Sequence, residues 1–288
     1  MTDKYAVPIN GVDRYAVLGN PISHSKSPEI HAAFAKKTGQ KLSYEAVLAP
    51  LDGFATTVKS LVAQGFKGAN VTVPFKFEAF ALCDDLSEWA KAAGAVNTLI
   101  FEYGKIKGEN TDGIGLVQDI QNNLNIQFDN KRVLLLGAGG AARGVLLPLL
   151  LALPSEIVIA NRDVAKVQKL VENIKKSEAF KKNPQPVEIR ASAYEDLSGN
   201  PFEIIINATS AGLTDSELPL PKSIFAKNCL AYDMMYGRET KFMKLARENG
   251  ARVVDGLGML VEQAAYSFWL WRNVNPQTTP VIAMLRNN

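Results

Sequence analysis

Short apolar runs alternate with segments of helical periodicity along most of this chain. In the first third, strand-like runs are followed by a hairpin that turns on Glu102, Tyr103 and Gly104. These predicted strands are Tyr15–Gly19, Tyr44–Leu48, Ala69–Val73, Thr98–Phe101 and Lys105–Lys107. Helical patterns at residues 28–38 and 54–64 lie between them and end before Gly39 and Gly65. This alternation is typical of α/β architecture with a mainly parallel sheet.

From Lys131 onward the alternation becomes more regular and predicts a second domain. Its six predicted strands are Val133–Leu136, Ile157–Ala160, Val187–Arg190, Glu203–Asn207, Leu230–Asp233 and Arg252–Asp255. Six strands with intervening helices make a complete doubly wound sheet of the Rossmann type. We place this domain at residues 113–256.

A long apolar helix is predicted after that sheet is complete. One of its faces carries Leu260, Ala264, Phe268 and Trp271. Because the second sheet already has all its strands, we expect this helix to pack back on the first domain. The first domain is therefore predicted to be discontinuous, with residues 1–112 and 257–288.

Composition and charge exclude several classes of protein. The 288 residues include 32 Lys and Arg against 29 Asp and Glu, scattered along the chain, which argues against a nucleic-acid partner. The two cysteines, Cys83 and Cys229, lie far apart in apolar surroundings typical of buried, reduced thiols. The only histidines, His24 and His31, lack the spacing of a metal site, so we expect no metal.

Two stretches of the sequence bear on the cellular location of the protein. The N-terminal segment has no apolar core of a secretory signal. Glycines, Arg143 and Pro148 interrupt the one long apolar run, at residues 133–153. We therefore expect a cytoplasmic protein that has no membrane partner.

A glycine-rich turn follows the first strand of the second domain. The segment Gly137-Ala138-Gly139-Gly140-Ala141-Ala142 fits the pattern G-x-G-x-x-A between a strand and an apolar helix. Such a turn lets backbone approach a pyrophosphate at a helix N-terminus. A tight strand-to-helix turn without a ligand has glycines too, but strand, turn and helix occur here in the order that dinucleotide binding requires.

The next strand favours NADP(H) as the cofactor. It ends at Asn161-Arg162, whereas NAD-binding domains usually place an acidic residue here for the ribose 2′-hydroxyl. A guanidinium suits a 2′-phosphate, although Arg162 could also be a solvated loop charge. Asp163 keeps a secondary use of NAD(H) open, and Lys166 restores positive charge one turn later.

Polar residues at strand ends of the first domain form a second candidate site. Ser25 and Ser27 precede a predicted helix, where they suit a carboxylate, but Ser27 is equally explained as an N-cap before Pro28. The strand before Pro74 exposes Lys76, and a hairpin begins after Asn97 and closes at Asp112. Taken singly, most of these residues are solvated charges or turn formers.

Eight motifs together resemble one family. "GNPISHSKSP", "GANVTVPFK", "AGAVNTL", "NTDGIGL", "GAGGAARGVLLPL", "INATSAGL", "YDMMY" and "DGLGMLVEQAA" have the order and spacing found in shikimate dehydrogenases, from about Tyr15 to the final helices. The resemblance implies an α/β enzyme with an N-terminal substrate domain and a Rossmann-type NADP-binding domain. It also implies the reversible NADPH-dependent reduction of 3-dehydroshikimate to shikimate, in chorismate and aromatic amino acid biosynthesis.

The resemblance also implies roles for individual residues. Lys76 and Asp112 match the catalytic pair of the family, and Ser25 and Ser27 match the residues that hold the substrate carboxylate. The ring hydroxyls and the reacting oxygen would be held by Thr72, Lys76, Asn97, Asp112 and Gln263. The cofactor-binding residues would be Gly137, Ala138, Gly139, Gly140, Ala141, Asn161, Arg162, Asp163, Lys166, Thr209, Ser210, Met234, Tyr236 and Gly256.

Other functions stay open from the sequence. Quinate or dual quinate/shikimate dehydrogenases differ by small changes around one substrate hydroxyl. A non-catalytic, nucleotide-responsive regulator would not need both Lys76 and Asp112, which are present. We expect a small-molecule substrate and a monomer or homodimer.

Overall fold

A computed structural model describes residues 11–181, 187–197, 199, 201–214 and 216–287. The N-terminal ten residues, considered above for a signal, lie outside the described residues, as do residues 182–186. The chain divides into two compact units. One comprises the residues up to Gly115 and from Val261 onward, and the other comprises Leu116–Leu260. The predicted assignment of functions to residues 1–112 with 257–288 and to 113–256 stays a prediction.

The first unit contains a six-stranded sheet. Its strands are β1 (Asp13–Gly19), β2 (Leu42–Leu48), β3 (Gly68–Val71), β4 (Asp85–Leu86), β5 (Thr98–Glu102) and β6 (Lys105–Glu109). The strand order is β2-β1-β3-β5-β6-β4. The pairs β1·β2, β1·β3 and β4·β6 are parallel, and only the pairs of β5 with β3 and β6 are antiparallel. The predicted mainly parallel sheet is therefore confirmed, with one antiparallel hairpin inside it.

Helices alternate with these strands. They are α1 (Ser27–Thr38), α2 (Phe54–Ala63), α3 (Lys76–Leu82), α4 (Glu88–Ala93) and α5 (Asp112–Gln118). Helix α1 ends at Gly39, whose φ of 67° is the left-handed conformation that glycine adopts at little cost. A π-helical turn, Asp119–Asn123, continues α5 into the second unit.

One detail of α1 differs from the sequence expectation. The helix begins one residue earlier than predicted, so Lys26 is the N-cap and Ser27 is the first helical residue. The cause is the right-handed helical conformation of Lys26, with φ −82° and ψ −5°. Ser25 instead accepts a hydrogen bond from the backbone N–H of Ser27, at 3.3 Å. The explanation of Ser27 as an N-cap is wrong.

The second unit is a doubly wound sheet of six parallel strands. The strands are β7 (Arg132–Leu136), β8 (Glu156–Ala160), β9 (Glu188–Ser192), β10 (Phe202–Asn207), β11 (Phe225–Asp233) and β12 (Arg252–Val254). In spatial order they run β9-β8-β7-β10-β11-β12, which is the 3-2-1-4-5-6 order of the Rossmann fold. All six strands were predicted from the apolar runs, and the prediction is confirmed.

The connecting helices cover this sheet. They are α6 (Gly140–Leu151), α7 (Val164–Lys176), α8 (Glu178–Lys181), α9 (Ala211–Thr214) and α10 (Lys241–Glu248), with a 3-10 turn at Lys222–Ile224. Leu134, Leu136, Val158 and Ile205 are fully buried in the core of this unit. Each such aliphatic side chain contributes about 2 kcal/mol by leaving water.

The last helices are α11 (Leu257–Arg272) and α12 (Thr279–Arg286). From Val261 onward α11 belongs to the first unit, where Ala264 and Phe268 are fully buried. The Trp271 indole donates to the carbonyl of Leu99 in β5 at 3.0 Å. A Cβ on Gly68 would overlap that indole nitrogen, so glycine is required for this close approach. The predicted return of the C-terminal helices to the first domain is confirmed.

Among the described helices, none has the length and apolar character that a bilayer span requires.

Candidate functional site

Lys76 lies where the chain leaves the first sheet. Thr72 N–H still donates to Leu18 O at 2.9 Å, and the chain then turns, with Phe75 N–H donating to Thr72 O at 3.0 Å. Lys76 is the first residue of α3. Its Nζ lies 2.5 Å from Asp112 Oδ2, and the two side chains are 26% and 11% exposed. Lys76 is therefore held in an ion pair rather than solvated.

Asp112 is fixed on its other oxygen by Asn97. The Asn97 amide donates to Asp112 Oδ1 at 2.8 Å and also to the Thr111 hydroxyl at 3.0 Å. Asn97 is buried and lies in the chain segment that connects α4 to β5. Asp112 is the first residue of α5, shortly after the β5–β6 hairpin. The side-chain oxygen of Asn97, Oδ1, accepts from Thr111 N–H at 2.9 Å, which sets the orientation of the side-chain amide.

Gln263 joins this cluster from α11. Its Oε1 lies 3.3 Å from Asn97 Nδ2 and 3.2 Å from the Thr111 hydroxyl. The structure therefore brings together four predicted site residues, Lys76, Asp112, Asn97 and Gln263, from three helices and one strand end. Thr111 was not predicted, although it stands inside the quoted motif "NTDGIGL".

A deeper polar layer was missed by the sequence analysis. Asn70 donates to Thr98 Oγ1 and Ser267 Oγ, each at 3.0 Å, and accepts from the Tyr44 hydroxyl at 2.7 Å. Thr98 in turn donates to Asn97 Oδ1 at 3.0 Å. All of these side chains are buried or half-buried, so each hydrogen bond replaces one that water would otherwise make. The layer supports the side-chain amide of Asn97 through Thr98.

Tyr44 connects this layer to α1. Burial raises the pKa of the Tyr44 hydroxyl well above its usual value. The Tyr44 ring stacks on His31 with centroids 4.2 Å apart. Burial lowers the pKa of His31 to about 3, so this imidazole is neutral at pH 7. Neither His31 nor Tyr44 carries a charge in this part of the first unit.

Ser25, Ser27 and Thr72 complete the predicted substrate residues. Ser25 and Thr72 are half-buried and Ser27 is buried. Thr72 stands directly after β3 and packs on the end of β1, since its Cγ2 lies 2.5 Å from where a Cβ on Gly19 would be. The described structure places all three at the carboxyl ends of β1 and β3 or in the turns that follow.

The glycine-rich turn of the second unit has an open backbone. Gly137 has a φ of 110°, which only glycine adopts readily, and a Cβ there would lie 3.1 Å from Ala208 O. Gly139 is the N-cap of α6 without a side-chain cap, and a Cβ on it would have no neighbour within 4 Å. The first N–H groups of this twelve-residue helix are thus accessible to an anion.

The end of β8 presents charged side chains to solvent. Arg162, Asp163 and Lys166 are all exposed, and Asn161 is half-buried with its amide donating to Asp163 O at 3.3 Å. Asp163 is the N-cap of α7, accepting from Lys166 N–H at 3.2 Å, and its Oδ2 lies 3.3 Å from Lys166 Nζ. The hydrogen bond from the Lys166 backbone lowers the pKa of Asp163. Asp163 therefore pairs with Lys166 across the first turn of α7.

Further candidate residues follow β10, β11 and β12. Thr209 donates its hydroxyl to Asn207 Oδ1 at 2.7 Å, and Ser210 beside it is exposed. Met234 and Tyr236 are half-buried after β11, and burial raises the pKa of Tyr236. A Cβ on Gly256 would overlap Met234 O, so only glycine fits there. Ala138 and Ala141 lie in the glycine-rich turn, buried and exposed respectively.

The described residues contain no group of three or more His, Cys, Asp or Glu side chains arranged to hold a metal ion.

Comparison with known proteins identifies the family. Three family models match: the shikimate dehydrogenase substrate binding domain at residues 17–99, shikimate / quinate 5-dehydrogenase at residues 118–213, and the shikimate 5′-dehydrogenase C-terminal domain at residues 256–286. A shikimate dehydrogenase (NADP(+)) of Methylobacillus flagellatus is 55% identical, with 96% of this chain and 99% of that protein covered.

Solved structures of similar proteins also match nearly the whole length of this chain. An Ael1 enzyme from Pseudomonas putida matches with a TM-score of 0.88 at 51% identity, over 95% of this chain and 98% of that chain. A shikimate 5-dehydrogenase from Thermus thermophilus, in complex with NADP(H) and shikimate, matches with a TM-score of 0.82 at 32% identity. That match covers 96% of this chain and 99% of that one. The chain described here belongs to the shikimate dehydrogenase family.

Proposed function

We propose that this protein is a shikimate dehydrogenase that reversibly reduces 3-dehydroshikimate to shikimate with NADPH. The observation that carries the proposal is the Lys76–Asp112 ion pair, held by Asn97 in a chain whose full-length relatives are shikimate dehydrogenases (NADP(+)). The reaction belongs to chorismate and aromatic amino acid biosynthesis. A non-catalytic regulator is disfavoured because it would not need a partly buried ion pair of this kind.

Lys76 and Asp112 are the proposed catalytic residues. Reduction of a ketone requires a hydride at carbon and a proton at oxygen, and bound NADPH supplies the hydride. The Lys76 ammonium can stabilise the developing oxyanion and donate a proton to it. Asp112 holds the ammonium through Oδ2, and Asn97 fixes the carboxylate through Oδ1. Because the two groups share one hydrogen bond, the proton transfer belongs to the pair.

The first unit supplies the proposed substrate residues. Ser25 and Ser27, next to the N-terminus of α1, are proposed to hold the substrate carboxylate. The ring hydroxyls and the reacting oxygen are assigned to Thr72, Lys76, Asn97, Asp112 and Gln263. Support comes from the hydrogen bonds that join four of these five residues.

The second unit supplies the proposed cofactor site, and its residues fit NADP(H). The open turn at Gly137–Ala142 suits the pyrophosphate, with Gly139 leaving space for its approach. Arg162 and Lys166 are exposed cations that suit a 2′-phosphate, and Asp163 is engaged with Lys166. The remaining proposed cofactor residues are Ala138, Gly140, Ala141, Asn161, Thr209, Ser210, Met234, Tyr236 and Gly256.

Location and assembly are part of the proposal. Cys83 and Cys229 are both free thiols, which suits a cytoplasmic enzyme in a reducing compartment. Burial raises the pKa of each thiol to about 12, so neither is a reactive thiolate at pH 7. A monomer or homodimer stays the expectation for the oligomeric state.

Initial rates with shikimate or quinate, each with NADP⁺ or NAD⁺, test the proposed function. We expect the highest kcat/KM for shikimate with NADP⁺. A higher kcat/KM for quinate would instead make the protein a quinate dehydrogenase. Binding of NADP⁺ without turnover of either acid would favour the regulator.

A further inference from the structure

A buried polar cluster around Asp233 joins the carboxyl ends of β10 and β11. Asp233 is fully buried, and its Oδ1 accepts from Met235 N–H at 2.9 Å. Its Oδ2 accepts from the Thr240 hydroxyl at 2.5 Å and from the Asn207 amide at 3.1 Å. Burial raises the pKa of this carboxyl, and the three hydrogen bonds oppose that rise. Because Asp233, Asn207 and Thr240 are all buried, they can support neighbouring loops but are not open to a ligand themselves.

Asn207 carries the cluster into the next loop. Its Oδ1 accepts from both the backbone N–H of Thr209, at 3.1 Å, and the Thr209 hydroxyl, at 2.7 Å. Its backbone carbonyl accepts from Met234 N–H at 3.0 Å. The orientation of this one amide therefore depends on Asp233 on one side and on Thr209 on the other.

Gly256, which follows β12, hydrogen-bonds to the same segment as Asp233. Its N–H donates to Met235 O at 2.9 Å, and Met234 O occupies the place where a Cβ would be. The segment Met234–Met235 is thus hydrogen-bonded on both sides. Its position is determined by buried groups that have a single satisfied arrangement.

The cluster lies in one half of the doubly wound sheet. In the 3-2-1-4-5-6 order, the two mononucleotide halves bind on either side of the first strand, at the carboxyl ends of the strands. The glycine-rich turn and Arg162 follow β7 and β8, which belong to the half that takes the adenosine 2′-phosphate end. The segments after β10, β11 and β12 belong to the other half, where the nicotinamide nucleotide binds.

We propose that Asp233 is a positioning residue that shapes the nicotinamide half of the cofactor site. It acts through Asn207 on the Thr209–Ser210 loop and through Met235 on the Met234–Tyr236 loop. This inference rests on the proposed NADP-dependent function and assigns Asp233 no contact with the cofactor.

The substitution Asp233→Asn replaces one carboxylate oxygen, an acceptor, by an amide nitrogen, a donor, and nearly preserves the shape of the side chain. The amide nitrogen that replaces one carboxylate oxygen would face the Asn207 amide, which is also a donor. Rotating the Asn207 amide would turn a donor toward the Thr209 N–H, and rotating the new amide would turn a donor toward the Met235 N–H. One of the two loops must therefore shift.

Calorimetric titration of the full chain with two ligands tests the inference. We expect Asp233→Asn to raise the Kd of NADP⁺ about tenfold. The Kd of adenosine 2′,5′-bisphosphate, which lacks the nicotinamide half, should change less than about twofold. The double substitution Asn207→Asp with Asp233→Asn restores one donor and one acceptor in each contact, so it should recover most of the NADP⁺ affinity.

A control variant and a second variant complete the test. Glu156→Gln removes another buried carboxylate of this unit, at the opposite, amino-terminal edge of the strands, where it pairs with Arg132 and Arg190. It should leave both Kd values within about twofold of the unsubstituted chain. If Asp233→Asn does not fold, Thr240→Val removes one hydrogen bond to Asp233 together with the N-cap bond to Met243 N–H in α10, and should raise the NADP⁺ Kd about threefold while leaving the Kd of the bisphosphate within about twofold.

Two results would overturn the inference. One is an unchanged NADP⁺ Kd in folded Asp233→Asn protein. The other is an equal loss for both ligands, which would show a general structural role. Absence of NADP⁺ binding by the unsubstituted chain is a distinguishable result, since it would overturn the proposed function itself and this inference with it.

Discussion

Asn97 donates its amide to Asp112 Oδ1 at 2.8 Å, on the carboxylate oxygen that Lys76 leaves free. Lys76 takes the other oxygen at 2.5 Å. Each carboxylate oxygen thus has its own donor, and the carboxylate cannot rotate without losing one of them. The ammonium is therefore held at a defined point before any substrate arrives, which is the preorganisation that electrostatic catalysis requires.

Replacing this ammonium should affect the chemical step more than binding. Lys76→Ala should lower kcat by roughly 10² to 10⁴, with a much smaller change in KM, because an acid–base group acts mainly in the transition state. Steady-state kinetics with shikimate and NADP⁺ measures this. Lys91→Ala is the matched control, because Lys91 pairs with Glu88 on the exposed surface of α4. A near-normal kcat in folded Lys76→Ala protein would sink the assignment.

Loss of the two hydroxyls near α1 should have the opposite kinetic signature. The double replacement Ser25→Ala with Ser27→Ala should raise KM for shikimate about tenfold or more and change kcat little, because these groups bind substrate away from the reacting carbon. Ser60→Ala, on the exposed face of α2, serves as the control. An unchanged KM for shikimate would show that the carboxylate binds elsewhere.

Cofactor discrimination should depend on the guanidinium after β8. Arg162→Ala should weaken NADPH binding by about tenfold or more and NADH binding much less, because only NADPH has the 2′-phosphate. The ratio of the two dissociation constants, measured by fluorescence titration, reports this directly. Lys169→Ala removes a cation from the exposed surface of α7 and should leave the ratio unchanged. Equal losses for both cofactors would show that Arg162 does not bind the phosphate.

The buried imidazole of the first unit should make the fold sensitive to acid. Burial lowers the pKa of His31 from 6.5 to about 3, so below pH 6.5 the unfolded chain takes up a proton that the folded chain does not. The free energy of unfolding therefore falls as pH falls, by up to about 1.4 kcal/mol per pH unit from this one group. Urea denaturation between about pH 7 and pH 5 measures the slope.

His31→Phe retains an aromatic ring in the stack with Tyr44 and removes the titrating group. The pH slope of its unfolding free energy should be shallower than that of the unsubstituted protein. Identical slopes for the two proteins would contradict a neutral, buried His31.

The regular strands could be predicted from the sequence because burial imposes a pattern on them. Strands β7, β8 and β10 are continuous apolar runs, as expected for a parallel sheet covered on both faces. The two-residue strand β4 was missed, because two residues cannot establish a period. The short helices α3 and α5 were missed as well, because each has only 7 residues, about two turns, in which a helical period is hard to recognise.

The cluster of Lys76, Asn97, Asp112 and Gln263 was predicted because its residues stand in recognisable motifs. The supporting layer of Asn70, Thr98 and Ser267 was not predicted, because Asn70 and Ser267 each have apolar neighbours and Thr98 follows Asn97 without a signal of its own. One signal was available for Ser267: it stands four residues after Gln263, so both fall on the same face of α11. Asn70 lies inside the motif "GANVTVPFK", but its hydrogen-bond partners, up to 197 positions away, are not visible from the local sequence.

The return of α11 to the first sheet has a consequence for how the chain is made. Residues 116–260 form a contiguous unit that can fold once they have left the ribosome. The contacts that cover the first sheet are not complete then, because the Trp271 indole that contacts Gly68 and Leu99 is synthesised after the second unit. The unit whose strands are translated first is thus completed after the second unit, and Gln263 reaches Asn97 only once α11 has been synthesised.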